Sequence, residues 1–177
     1  NQEIKYSTNN GQTWQYSIRW SSYKINDITK TPNGYLFTAA NNGIYKSTNS
    51  GLNWSSAGLT NFDCEVIASN SSGTIFATSN TSLIYRSYDY GQSWQSSGFG
   101  YYSVTSIAVT SNDYIYLMTN ANNGVYRSTD NGISYTNLAF QTGANSSGYL
   151  SAINGTDIYA GTVNGLFRST NYGTNWI

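Results

Sequence analysis

The chain of 177 residues has no histidine, one cysteine, one proline and one methionine, and only 9% of it is charged. Without histidine there is no Ser–His–Asp arrangement and no His-based metal cluster. Cys64 has no second thiol to pair with and no CxxC motif around it. In the stretch CEVIAS it reads as a small buried hydrophobe. No metal and no cofactor is expected. Eight basic and eight acidic residues cancel, and the absence of a basic run argues against nucleic acid as a partner. No stretch of about 18 apolar residues exists, so no transmembrane segment is expected. The first residues carry no charged-then-apolar leader pattern; either a leader has been removed or the sequence begins after it.

What is abundant is aromatic and polar. Aromatics make up 16% of the chain, with 17 tyrosines. A chain so rich in amphipathic rings and so poor in charge folds rather than remaining disordered. Low charge with abundant Ser, Thr, Asn and Tyr leans toward a secreted or cell-surface location. The N-x-S/T triplets at Asn53, Asn70, Asn80, Asn145 and Asn154 are compatible with it.

A ten-residue pattern recurs. YKSTNSGLNW (45–54) returns as YRSYDYGQSW (85–94), YRSTDNGISY (126–135) and FRSTNYGTNW (167–176), and YSTNNGQTW (6–14) precedes them all. The serines that open the copies, Ser7, Ser47, Ser87, Ser128 and Ser169, stand 40, 40, 41 and 41 residues apart. Such regularity over the whole chain is the signature of a repeat architecture. Within one unit the pattern is all β. SVTSIAVT, DYIYLMT, GVYRST and ISYTNL follow one another between residues 103 and 138, with Asn, Gly, Asp or Ser at the breaks. Four short strands in about 40 residues describe the blade of a β-propeller. The expected fold is therefore an all-β propeller with four-stranded antiparallel blades, forming a single domain over 1–177. A half-blade at 3–18 precedes full blades at 23–57, 63–97, 103–138 and 148–177.

The decapeptide falls between the third and fourth strands and reads as a hairpin turn. The Asn or Asp side chain is expected to bond backbone N–H groups one or two residues on. The glycine supplies a positive φ, and the closing aromatic is expected to fill space beside the next sheet. The pattern resembles the Asp-box, or bacterial neuraminidase repeat. The matching residues are Ser7, Asn9, Gly11 and Trp14; Ser47, Asn49, Gly51 and Trp54; and Ser87, Asp89, Gly91 and Trp94. Two further sets are Ser128, Asp130, Gly132 and Tyr135, and Ser169, Asn171, Gly173 and Trp176. The resemblance implies a propeller whose relatives include sialidases, xyloglucan-cleaving glycosidases, sortilin-type receptors, photosystem assembly factors and fucose-binding lectins. The chain departs from it at Asn9, Asn49 and Asn171 in place of Asp, and at Tyr135 in place of Trp. Asn makes the same turn bond without the charge, and the boxes read as structural.

A half-blade leaves unpaired strand edges, which proteins avoid. Three arrangements answer this: a piece of a larger propeller, a five-blade ring with one split blade, or a homo-oligomer completed through edge strands. Ligand contacts are expected on the face opposite the boxes. There the blade-linking loops carry Trp20, Tyr23, Phe62, Phe99, Tyr101, Tyr102, Phe140 and Tyr149. The loops between second and third strands carry Asn41, Asn42, Asn122 and Asn123. Rings stack on the C–H faces of a neutral sugar while amides bond its hydroxyls. The same rings also suit sealing between blades.

An enzyme is not expected. Arg86, Arg127 and Arg168 repeat at one box-flanking position, as a structural group does, and form no sialidase triad. Two facing carboxylates would serve a glycosidase. Strand alternation, however, sends Asp27 and Glu65 to opposite faces, leaving Asp27 with Asp63 as the available pair. The reading is a non-enzymatic recognition module for carbohydrate or protein. Its alternatives are a structural subunit assembling through its incomplete blade and a fragment of a propeller glycoside hydrolase.

Overall fold

The computed structural model describes residues 2–20, 23–97, 99–100, 102–120, 124–140 and 148–177; of residues 2 and 18–20 it describes only the backbone. Every regular element among them is a β-strand. β1 (Gln2–Tyr6) and β2 (Gln15–Trp20) form a hairpin. Three four-stranded antiparallel sheets follow. The first is β3 (Ile25–Lys30), β4 (Leu36–Ala40), β5 (Gly43–Ser47) and β6 (Ser55–Ser56). The second is β7 (Ile67–Ser69), β8 (Ile75–Thr78), β9 (Ile84–Ser87) and β10 (Gln95–Ser96). The third is β11 (Val104–Val109), β12 (Ile115–Thr119), β13 (Val125–Ser128) and β14 (Thr136–Asn137). The last sheet has β15 (Tyr149–Ala152), β16 (Ile158–Thr162) and β17 (Gly165–Ser169). Ile177 exchanges both backbone hydrogen bonds with Arg168, as the outermost strand of the other sheets does with its neighbour. The fold is thus an all-β propeller of about four blades and a partial one.

The second strand of each central blade is buried on both faces, as IFAT in β8 and IYLMT in β12 show. A strand between two sheets has no solvent face, so alternation gives way to a continuous apolar run. The cores form between blades. Phe37, Ile44, Ile67 and Ile75 join the first sheet to the second, while Tyr116, Met118, Val125, Ile158 and Ala160 join the third to the last.

The boxes build one hairpin five times. The serine hydroxyl accepts the N–H of the box glycine at 2.8–2.9 Å in all five copies. It donates in turn to the Asn or Asp Oδ1 at 2.7–3.0 Å. That oxygen accepts the N–H of the residue four positions on (Thr13, Asn53, Ser93, Ser134 and Asn175), each at 2.9 Å. The carboxamide or carboxylate therefore spans the whole turn rather than the one or two residues expected. The glycines have φ between 75° and 87°, and the residue before each is left-handed as well, including Tyr90 and Tyr172. Two successive positive-φ residues make the tight turn that suits twisted strands.

The closing aromatic turns toward the preceding blade rather than the next. Trp94 Nε1 donates to the Ala57 carbonyl at 2.7 Å, and Trp54 Nε1 to Ser17 Oγ at 3.0 Å. Trp176 stacks on Phe140 with ring centres 4.4 Å apart. The next blade is gripped by other groups. Lys46 Nζ donates to the Tyr90 carbonyl at 3.2 Å, Arg86 to that of Asn131 at 3.2 Å, and Arg127 to that of Tyr172 at 2.9 Å. Each acceptor is the residue just before the next box glycine. The repeated cation is a clasp between blades.

Candidate functional site: a central cavity

The inner strands converge on a cavity of about 540 Å³ lined by Lys24, Asn26, Asp27, Asp63, Glu65, Val66, Thr105, Ser106, Ile107, Gly148 and Tyr149. Register explains this roster. Ile28, Ile67, Ile107 and Leu150 occupy one equivalent position, opposite Thr38, Ala77, Leu117 and Ala160. The two residues before it in each unit are Asn26–Asp27, Glu65–Val66, Thr105–Ser106 and Gly148–Tyr149. All four pairs line the cavity, one from each blade.

Adjacent strand residues normally face opposite ways, and on that basis Asp27 and Glu65 were expected to diverge. They share one cavity instead. The register of β3 slips between Ile25 and Asp27, and that of β11 between Val104 and Ser106. In the second blade residues 63–66 precede the strand altogether. A bulge sets two residues against one and re-aims both side chains.

These positions also stitch blades together. Asn26 Nδ2 donates to the Cys64 carbonyl at 2.8 Å, and Asp27 Oδ2 accepts the Ile67 N–H at 3.0 Å. Between the third and last sheets Thr105 Oγ1 donates to the Gly148 carbonyl at 2.9 Å, and Ser106 Oγ accepts the Leu150 N–H at 3.0 Å. The matching pair of the second blade, Glu65 and Val66, holds an exposed carboxylate and an apolar side chain. Val66 has no side-chain oxygen to accept the N–H of the next inner strand. The cavity thus presents Asp63 and Glu65 with Lys24, flanked by hydroxyls and the Tyr149 ring, which is 78% exposed. Asp27 is committed to two amides, those of Ile28 at 2.8 Å and Ile67. Asp63 stands within 3.4 Å of Asn26 Nδ2. Cys64, between Asp63 and Glu65, is fully buried; burial and the adjacent Asp63 push its thiol up to about 12, so it stays protonated and unreactive at neutral pH.

The cavity lies at the end of the inner strands remote from the boxes, since Asp27 pairs with Ala39 while Ser47 pairs with Leu36. Of the expected ligand contacts, Tyr149 lines it and Tyr23 is exposed at 38%. Asn41 is exposed, but its side chain accepts the Lys24 N–H at 3.0 Å and so shapes the linker. Asn42 donates to the Tyr45 hydroxyl at 2.6 Å. Phe99 and Phe140 are corrected: they are 5% and 8% exposed and pack against Tyr126 and Trp176, sealing the seams between blades. Phe62 and Tyr102 are half-buried against Tyr85 and Tyr126. Tyr101, Asn122, Asn123 and the side chain of Trp20 lie outside the described residues. Lys24, Asn26, Thr105, Ser106 and Gly148 were not anticipated. Their signal was present: once the units are aligned on Ile28, Ile67 and Ile107, the two preceding columns are polar in most units.

The class these features define is a propeller of Asp-box blades. The family model for the BNR/Asp-box repeat matches residues 5–16, the first box hairpin. Among curated proteins no sequence match is found. Solved structures agree in fold. A GH74 enzyme of Niastella koreensis superposes with a TM-score of 0.72 at 22% identity, over 99% of this chain and 28% of that one. YCF48 bound to D1 peptide gives a TM-score of 0.72 at 16% identity, over 97% and 59%. A chain of the nidogen/laminin complex gives 0.76 at 12% identity, over 99% and 70%. The chain therefore spans 28% of the GH74 enzyme and 59% of YCF48. Among the described residues no helix is long and apolar enough to cross a membrane.

Proposed function

We propose that the chain is a non-enzymatic, extracellular recognition module whose central cavity takes a neutral, hydroxyl-rich ligand, a carbohydrate. The observation that carries this reading is the convergence of Asp63, Glu65, Asn26, Thr105 and Ser106 beside the exposed Tyr149 in one cavity. Carboxylates and hydroxyls accept from and donate to sugar hydroxyls, and an exposed ring offers a stacking platform. The size suits a ligand of one or a few sugar rings, within the several-hundred Å³ range of small-molecule sites. Titration calorimetry against neutral oligosaccharides tests it. Tyr149→Ala and Asp63→Asn should each weaken binding by about 1–3 kcal/mol, the size of a lost ring contact or hydrogen bond to a charged group. Unchanged binding in both variants rejects the cavity as the site.

A second reading, glycoside hydrolysis, draws on the same acids. Asp63 and Glu65 share the cavity without the double amide tie that immobilises Asp27. Two carboxylates astride a glycosidic bond are what such chemistry needs. Reducing-sugar release that vanishes in Asp63→Asn would favour this reading over simple binding.

A further inference from the structure

The polar lining of the cavity is open at one corner, between the second and third blades. An innermost strand pairs on one side only, so alternate amides of β3, β7, β11 and β15 point away from their own sheet. The far end of each strand fixes which ones. Thr31, Asn70, Thr110 and Ile153 donate their N–H groups to the carbonyls of Tyr35, Thr74, Tyr114 and Asp157, at 2.9–3.2 Å. From there back to Ile28, Ile67, Ile107 and Leu150, three residues earlier, the register is unbroken. An odd step reverses direction, so the amides of these four residues leave the sheet. Asp27 accepts those of Ile28 and Ile67, at 2.8 and 3.0 Å, and Ser106 Oγ accepts that of Leu150 at 3.0 Å. Ile107 differs. The residue standing for it where Asp27 and Ser106 stand for the others is Val66. A methyl group accepts no hydrogen bond, so the Ile107 N–H is left facing the cavity.

The neighbours of this amide give the corner a chemical character. Glu65, next to Val66, is exposed and lines the same cavity, and Val66 itself is half-buried there. A donor, a carboxylate acceptor and a small apolar surface therefore meet: Ile107 N–H, Glu65 and the Val66 methyls. A sugar hydroxyl would use the first two and leave the third bare. An acetamido group uses all three. Its oxygen accepts the amide, its N–H donates to the carboxylate, and its methyl covers Val66. We propose that the cavity selects a sugar bearing an acetamido group, an N-acetylhexosamine, and that Val66 determines this specificity by leaving the Ile107 amide unclaimed. The proposal rests on the carbohydrate reading above and narrows it. The corner is built by the segment leading into β7 and by β11, strands that each have an inner strand on both sides, β3 and β11 about β7, β7 and β15 about β11.

Two measurements test it. The first needs no ligand. Amide hydrogen exchange followed by NMR should show Ile107 exchanging about tenfold faster than Ile67 and Leu150, the factor that one hydrogen bond represents. Val66→Thr keeps the shape of valine and supplies a hydroxyl of the kind Ser106 supplies, and should slow Ile107 to the rate of its equivalents. The second is titration calorimetry with chitobiose and cellobiose, which differ only in carrying acetamido groups or hydroxyls. Chitobiose should bind about tenfold more tightly and should shift the Ile107 amide resonance. Val66→Thr and Glu65→Leu should each remove most of that preference, while Glu65→Gln, which still offers an oxygen to the acetamido N–H, should retain it. Equal binding of the two sugars overturns the acetamido assignment and leaves the carbohydrate reading standing; binding of neither overturns both. Exchange at Ile107 as slow as at Ile67 overturns the open amide, and a preference that survives Val66→Thr places the contact elsewhere. Tighter binding of N-acetylalanine methylamide than of chitobiose would assign the corner to peptides and overturn the sugar.

Discussion

The third and last sheets were written from the same pattern and ended in different environments. VYRS in β13 and LFRS in β17 align residue for residue, as do IYLMT in β12 and IYAGT in β16. In the third sheet Tyr116, Met118 and Val125 are fully buried beneath the last sheet; in the last, Leu166 is 71% exposed and Tyr159 half-buried. Arg127 reaches the neighbouring turn while its twin Arg168 turns back on its own sheet. A blade supplies only one side of each core, and a neighbour supplies the other. This is how repeat folds gain stability, from interfaces between units as much as from the units themselves.

The comparison breaks most sharply at buried rings. Phe76→Ala should destabilise the chain by about 3–5 kcal/mol, as ring deletions in cores do, whereas Leu166→Ala should stay within about 0.5 kcal/mol. Urea unfolding midpoints read both, and similar losses would mean that the last sheet is covered in solution. Box glycines come next. Gly132→Ala would force a Cβ to 3.0 Å from Phe76 at a φ of 75° and should lose about 3 kcal/mol. Gly11→Ala would meet only the Trp14 ring, at an unstrained 3.8 Å, and should lose only the left-handed strain of about 1–2 kcal/mol. Among the clasps, Arg127→Ala should lose about 1 kcal/mol through its hydrogen bond to the Tyr172 carbonyl. Arg168→Ala should leave monomer stability unchanged by the same measurement.

The smallest effect is electrostatic. The second and third sheets have Asp in their boxes, and the other three boxes have Asn. In Asp89 the Ser93 hydroxyl and amide hold the carboxyl down at about 2. In Asp130 partial burial pushes the other way, but the Ser134 hydroxyl and amide outweigh it and the result is again about 2. A carboxyl lowered in the fold stabilises it above the ordinary carboxylate range, and that stabilisation is lost as pH falls toward the folded value. The thermal midpoint should therefore drop between about pH 4 and pH 2. The double variant Asp89→Asn, Asp130→Asn should flatten that drop, and an unaltered acid limb would remove the two boxes from its cause.

Much of the fold was legible because its determinants are local. The Ser–x–Asx–x–Gly turn closes through bonds no longer than four residues in sequence, so each copy announces its own hairpin. The period of 40 or 41 residues then spaces the strands. The site was less legible. Tyr149 was anticipated as a loop aromatic, but Phe99 and Phe140, of the same type and loop class, proved to be seam filler. Residue type alone does not tell a ring that faces solvent from one that faces the next blade. Nor does alternation survive a bulge, which is why Asp27 and Glu65 were sent to opposite faces.

By itself the sequence determined the hairpins, the strand content and the blade period, since turn chemistry and β-propensity act over a few residues. Only the tertiary structure decided which face of each blade is covered, where the repeated cations reach, and that four equivalent pairs of residues meet in one cavity. Those outcomes depend on register slips and on the approach of chain segments some 40 residues apart, as in the bond from Ile67 to Asp27. That distance along the chain carries no local signal, and packing alone resolves it.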